Sequence, residues 1–167
     1  WNTITEEAAP DPRRVPRADS YAPPVKAERL SDVKGTSVER IDSGIGELNR
    51  VLGGGIVAGS VILTGGAPGI GKSTLLLQAC AGRAAEGKKV LYGSGEESLQ
   101  QIKLRADRVG AGGDSFFLAE TTDADGIAEL MEREEPDLLV VDSIQTVSSR
   151  ALESLPGNIS QVRHCGH

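Results

Sequence analysis

Residues 65–74 read GGAPGIGKST and contain the complete pattern GxxxxGK(S/T), from Gly66 to Ser73. Glycines let successive backbone N–H groups turn inward around a phosphate chain, because no Cβ blocks the approach. One apolar run, at 61–63, precedes this loop, and another, at 75–77, follows it. The segment therefore predicts a strand, a phosphate-binding loop and a helix, and it places the chain among α/β proteins that bind nucleotides.

The residues of this phosphate loop have distinct predicted roles. The helix that follows points the positive end of its dipole at bound phosphate. Lys72 supplies a charge to the β- and γ-phosphate oxygens, and the Ser73 hydroxyl suits a Mg²⁺ ligand. The alternative is an ordinary glycine-rich turn, which the lysine, the hydroxyl and the flanking runs disfavour. The predicted nucleotide-binding residues of the loop are Gly66, Ala67, Pro68, Gly69, Ile70, Gly71, Lys72, Ser73 and Thr74.

Composition limits the remaining possibilities. The chain has 167 residues, enough for one domain, and its net charge of −6 disfavours a surface dedicated to polyanions. Cys80 and Cys165 lack the spacing of a zinc site and no secretory leader precedes them, so we expect a cytoplasmic protein. No apolar run approaches the ~18 residues that a membrane-spanning helix needs.

The first 38 residues differ from the rest of the chain. They hold five of the eight prolines among charged and small side chains, which predicts a flexible, disordered linker over 1–38. An extended arm that docks through Tyr21 and Val25 is the alternative. The remaining segment, 39–167, is predicted to be the folded domain.

Elements alternate within the predicted domain. Ser43 is expected to cap a short helix that glycines 53–55 terminate. We predict strands at 60–64, 89–92, 116–118 and 138–141, and helices at 72–86, 97–109 and 124–134. This alternation predicts a doubly wound, mostly parallel sheet.

Three polar residues follow predicted strands at the edge where such sheets bind ligands. Asp142 ends an apolar strand and is a candidate Mg²⁺ carboxylate, the alternative being a capping aspartate. Glu96 is the candidate for activating water; alternatively it only favours the helix dipole, as we expect for Glu97. Gln145 is placed to contact a γ-phosphate, with a solvated turn as the alternative.

Five segments together resemble the RadA (Sms) family of bacterial DNA-repair ATPases over about residues 36–163. They are SGIGELNRVLGGGIVAGSVILTGGAPGIGKSTLLLQ (43–78), VLYGSGEES (90–98), LRADRVG (104–110), PDLLVVDSIQT (136–146) and PGNISQVR (156–163). By position, the resemblance implies that Lys72 and Ser73 bind phosphate and Mg²⁺, that Asp142 holds the metal and that Glu96 activates water.

The resemblance also implies properties beyond these residues. It implies a RecA-type core that uses ATP and Mg²⁺, a homo-oligomeric ring, specifically a hexamer, and hydrolysis coupled to single-stranded or branched DNA. The implied role is branch migration of recombination intermediates, with a recombinase filament as a partner. The cysteines of the family's zinc finger are absent here. Zinc is therefore expected only in full-length members of the family, and not in this chain.

The chain departs from that family at its C-terminal end, where His164-Cys165-Gly166-His167 stands in place of a long helix. The resemblance thus implies a RecA-like domain truncated after its metal-carboxylate (Walker B) strand. In a RecA-type sheet, the four predicted strands would lie in the order third, second, fourth, gap, first. Unpaired strand edges at the gap are costly, so we expect this chain alone to be poorly stable and weakly active or inactive.

Two other functions compete with a DNA-stimulated ATPase. One is a nucleotide-gated module that assembles a ring and hydrolyses little ATP. The other, ranked last, is a small-molecule phosphotransferase, for which the sequence shows no arginine-rich lid after the third helix.

Overall fold

The computed structural model describes residues 27–34 and 38–166. The chain divides between Ser37 and Val38 into two units. In the first unit, the described residues are exposed and contain a short 3₁₀ helix, Leu30–Asp32. Most of the predicted linker, with Tyr21 and Val25, lies outside the described residues, so its disorder remains a prediction.

The second unit alternates strands with helices, as the sequence predicts. The strands are β1 (Arg40–Ile41), β2 (Ile56–Val57), β3 (Val90–Ser94), β4 (Phe116–Glu120) and β5 (Leu138–Asp142). The helices are α1 (Gly46–Val51), α2 (Lys72–Ala85), α3 (Leu99–Arg108), α4 (Ala124–Glu134) and α5 (Ile159–Cys165). Predicted elements from α2 to β5 begin and end within two residues of those observed.

A parallel three-stranded sheet organises this unit, in the order β4–β3–β5. Val90 pairs with Phe116 on one side and with Leu138 on the other. This arrangement confirms the predicted order of the third, second and fourth strands. All five residues of β3 are buried, because helices cover both faces of a central parallel strand.

The hydrophobic core lies between this sheet and the helices α2 and α3. Leu77 and Ile102 from these helices pack with Val90, Tyr92 and Val140 of the sheet. On the opposite face, Ile127 of α4 lies beside Gly93, whose missing Cβ would sit 3.7 Å from the Ile127 Cδ1 atom. Helices therefore cover the sheet from both sides, as in doubly wound α/β proteins.

The strand predicted at 60–64 is wrong. Residues in this segment pair with no strand of the described chain, and Val61 and Leu63 are 88% and 83% exposed. A cavity of about 540 Å³, lined on one side by Ile62 and on the other by β5, separates the segment from the sheet. A strand needs a hydrogen-bonding neighbour, and an apolar sequence cannot substitute for one.

The start of the domain also differs from the prediction. Ser43 does not cap α1; Ile45 occupies the N-cap position, and the buried Ser43 hydroxyl instead donates to Asn49 Oδ1 at 2.7 Å. The antiparallel pair of β1 and β2 that flanks α1 was not predicted, because each strand has only two residues. Helix α5, capped by Asn158, was also missed.

Candidate nucleotide-binding site

The phosphate loop leads directly into α2. Gly69 and Gly71 adopt left-handed backbone angles, with φ of 76° and 105°, which favour glycine. Residues 66–70 are exposed, and no side chain caps the N-terminus of α2 at Gly71. The first N–H groups of a 14-residue helix are therefore available to an anion.

Lys72 curls back over this loop. Its ammonium group donates to the carbonyl oxygens of Gly66 at 2.8 Å and Ala67 at 3.0 Å. Ser73 is half-buried in the first turn of α2, and Thr74 is exposed. The charge of Lys72 thus lies over the loop into which a phosphate would fit.

Two cavities adjoin Lys72 and bring together the site residues predicted from distant parts of the sequence. The smaller, of about 280 Å³, is lined by Lys72, Ser73 and Glu96, among others. The larger cavity beside β5 is lined by Lys72, Asp142 and Gln145 as well. Lys72 therefore contributes to both, with the candidate water-activating carboxylate on one side and the candidate metal carboxylate on the other.

Glu96 lies in the turn that follows β3, where its carboxylate is exposed. The hydroxyl of Ser143 donates to Glu96 Oε1 at 2.6 Å. The adjacent Glu97 makes an ion pair with Arg105 of α3, so the two neighbouring glutamates have different partners. Both glutamates line the smaller cavity beside the phosphate loop, but Glu96 is exposed, whereas the half-buried Glu97 is held by Arg105.

Close packing at Gly95 holds this turn in place. A Cβ atom at Gly95 would lie only 2.6 Å from the Thr146 hydroxyl oxygen and 3.0 Å from the Thr146 Cβ. Any larger residue would force the turn away from the segment that follows β5. The glycine therefore allows Glu96 and Ser143 to come within hydrogen-bonding distance.

Asp142 lies at the carboxyl end of β5 and is half-buried. Its Oδ2 atom accepts a hydrogen bond of 2.6 Å from the hydroxyl of Tyr92. Burial of the Tyr92 ring, and secondly this hydrogen bond, raise the pKa of Tyr92 above its usual value, so the hydroxyl stays a donor. Tyr92 was not predicted as a site residue. The one signal for it in the sequence is a polar hydroxyl at the end of the otherwise apolar run VLY, which begins β3.

The donor set fits a magnesium–nucleotide complex. Among residues 27–34 and 38–166, no group of three or more His, Cys, Asp or Glu side chains is arranged to hold a metal. Mg²⁺ commonly binds through one or two carboxylates, with waters and substrate phosphates completing its shell. Asp142 lines the larger cavity and Ser73 the smaller one, and the two cavities share Lys72. The oxygen atoms of both residues match that chemistry rather than that of a closed zinc site.

Gln145 is exposed on the segment after β5 and lines the same cavity as Asp142. Its contact with a γ-phosphate remains a prediction.

Within the described residues, no helix is long and apolar enough to cross a lipid bilayer.

Comparison with known sequences agrees with this geometry. The chain is similar to proteins named DNA repair protein RadA, with 45% identity to that of Bacillus subtilis and 43% to that of Listeria monocytogenes, in each case over 99% of this chain. Identity to the Escherichia coli protein of the same name is 44% over 98% of the chain. These alignments cover only 36–37% of each relative, so the chain spans just over a third of the length of these curated relatives.

A family model described as an AAA domain matches residues 26–154, which include the phosphate loop, Glu96 and Asp142. This match covers most of the chain and both sides of the candidate site. With its parallel sheet and phosphate loop, the chain has a RecA-like α/β fold, and it belongs to the AAA domain family.

Proposed function

We propose that this chain is the nucleotide-binding part of a DNA-repair enzyme that hydrolyses ATP and acts on single-stranded or branched DNA. The observation that most supports this proposal is the convergence of three distant segments on Lys72. The phosphate loop, the turn with Glu96 and the end of β5 with Asp142 line two cavities that meet at this lysine.

Binding of the nucleotide is assigned to the loop and to α2. The loop N–H groups and the helix N-terminus hold the phosphates, and Lys72 exchanges its two carbonyl partners for phosphate oxygens. Ser73 and Asp142 would hold Mg²⁺, which when bound neutralises charge on the phosphates. Gln145 is assigned to the γ-phosphate.

Hydrolysis is assigned to Glu96. A water adds to the γ-phosphorus, the bond to the bridging oxygen breaks to release ADP, and the Glu96 carboxylate orients the water and accepts its proton. The hydrogen bond from Ser143 fixes one carboxylate oxygen and leaves the other for the water. This geometry supports Glu96 over Glu97, whose carboxylate is paired with Arg105.

The action on DNA is proposed from the relatives, which are named DNA repair proteins. We extend the proposal to branch migration, to a cytoplasmic hexameric ring and to a recombinase filament as partner. With a net charge of −6, DNA contacts would have to come from local basic surfaces rather than from overall charge.

A second candidate is a ring-assembly module in which bound nucleotide orders subunit contacts and little ATP is hydrolysed. The exposure of the site favours it, because Glu96, Gln145 and loop residues 66–71 are exposed and available to a neighbouring subunit. The two candidates differ in what Glu96 does.

The test measures Mg-ATP binding and ATP turnover, with and without single-stranded DNA, for the chain and two variants. We expect Lys72→Ala to weaken binding on the order of 100-fold, because a hydrogen bond to a charged group contributes about 1.5–3 kcal/mol. Glu96→Gln should bind ATP normally and lose the weak turnover of the parent chain. Lys88→Ala, at a surface lysine outside both cavities, is the control.

Equal and negligible turnover in the parent and Glu96→Gln, with nucleotide-dependent assembly in both, would favour the ring-assembly module. ATP binding that Lys72→Ala leaves unchanged would contradict both candidates.

A further inference from the structure

The Tyr92 hydroxyl bonds directly to the candidate metal carboxylate. Its ring is 1% exposed and packs in the core with Leu77, Ile102 and Val140. Only the hydroxyl reaches a polar group, at 2.6 Å from Asp142 Oδ2. The ring is therefore held by the core, and the hydroxyl meets the carboxylate from a fixed position.

Strand register explains why this contact forms. In the parallel pair of β3 and β5, Tyr92 lies opposite Val140, and Ser94 lies opposite Asp142. Side chains two residues apart point to the same face, so Tyr92 and Asp142 share the face covered by α2. Helix α2, whose first turn carries Ser73, the other candidate metal ligand, packs on that face through Leu77.

This hydrogen bond gives the two carboxylate oxygens of Asp142 different roles. Oδ2 accepts from Tyr92, so the side-chain torsion of Asp142 is fixed and Oδ1 is left for a metal or a metal-bound water. Outer partners of this kind orient metal ligands, and their loss typically lowers metal affinity 10–100-fold. Tyr92 would do this without touching the nucleotide or the metal.

We propose that Tyr92 is a positioning residue that fixes the Asp142 carboxylate for the Mg²⁺ of the bound nucleotide. The proposal rests on the proposed nucleotide site and adds a determinant of its metal affinity. A purely structural role would change stability alone, whereas positioning changes metal affinity when the fold is intact.

The test uses Mn²⁺ as a probe, because free Mn²⁺ can be counted by electron paramagnetic resonance in the presence of ADP. We expect Tyr92→Phe to weaken Mn²⁺ binding to the protein–ADP complex roughly tenfold. ADP binding in the presence of a chelator should not change. The matched control is Val90→Ala, on the same strand and the same face, which loses buried core atoms but touches no polar group of the site.

A second comparison separates positioning from loss of stability. In an Asp142→Asn background, Tyr92→Phe should weaken Mn²⁺ binding no further, because the carboxylate that it positions is gone. An equal Mn²⁺ affinity in Tyr92→Phe and the parent, or equal weakening in Tyr92→Phe and Val90→Ala, would overturn the proposal. Failure of the parent chain to bind ADP at all would instead overturn the proposed nucleotide site, and this inference with it.

Discussion

The sheet and the phosphate loop of this domain differ in how the chain supports them. Strand β3 is buried at all five residues and paired on both sides, whereas all ten residues from 61 to 70 are exposed. The sheet is held by contacts between distant segments, and the loop by its own glycines and by Lys72. Stability and ligand binding are therefore assigned to different regions that meet at the carboxyl ends of β3 and β5.

The largest expected contrast comes from truncating one leucine in each region. Leu77→Ala removes a fully buried side chain from the core and should lower the free energy of unfolding by about 2–5 kcal/mol. Leu63→Ala removes an 83% exposed side chain and should change it by less than about 0.5 kcal/mol. Urea titrations of both variants measure the difference, and similar losses would show that the segment at 60–64 is packed against the domain.

A glycine at the boundary tests whether the two regions are coupled. Gly95→Ala forces a Cβ atom against Thr146 and should cost about 1–3 kcal/mol of stability, because overpacking displaces the turn. It should also lower ATP turnover, since Glu96 moves with the turn. Gly112→Ala is the matched control, because nothing lies within 4 Å of its added Cβ. Normal turnover and stability in Gly95→Ala would refute the packing argument.

The stability of the hydrophobic core should also depend on alkaline pH, because Cys80 of α2 is buried in it. Burial raises the pKa of this thiol from 9.0 to about 12. Because the folded pKa is raised, its contribution to stability is complete below pH 9 and is lost as the pH rises toward 12. At pH 10 the loss should be about 1 kcal/mol relative to pH 8. Urea titrations of Cys80→Ala at both pH values provide the comparison; an equal pH dependence in parent and variant would exclude Cys80 as its source.

The smallest effect is expected at an ion pair outside both regions. Lys103 and Asp107 pair on the exposed side of α3, where their side chains are 63% and 54% exposed. Exposed pairs of this kind contribute about 0.3–0.5 kcal/mol, so Lys103→Ala should shift a urea midpoint barely at all. A loss above about 1 kcal/mol would mean that α3 depends on surface charge more than its buried Ile102 suggests.

The sheet was predictable from the sequence to a large extent. Alternating apolar runs located β3, β4 and β5, and the family resemblance indicated their order. The strand predicted at 60–64 is wrong because an apolar run indicates only a tendency to be buried. A strand also needs a hydrogen-bonding partner, which other parts of the chain must supply. Hydropathy cannot show whether that partner is present.

The site residues that belong to short continuous motifs could be predicted from the sequence. The phosphate loop and the carboxylates at strand ends could be named from the sequence, and the structure places Lys72 between Glu96 and Asp142. Tyr92 could not be found in this way, because its role depends on the register between β3 and β5. The hydrogen bond between Ser143 and Glu96 could not be found either, because it joins residues that are 47 positions apart.

The sheet of this domain ends at β5 on one side. The outer edge of β5 faces the cavity beside Ile62 and has no strand partner in the described part of the chain. We therefore expect a broad thermal transition and weak turnover. A sharp, cooperative transition together with turnover that Lys72→Ala abolishes would contradict this expectation.

Amide hydrogen exchange with and without Mg-ATP tests the central claim most directly, because it reads both regions in one experiment. We expect β3 to be protected in both states, and the peptide that covers residues 65–74 to gain protection only when Mg-ATP is present. No gain over 65–74, or an equal gain in the Lys72→Ala variant, would contradict the claim that this loop binds the nucleotide.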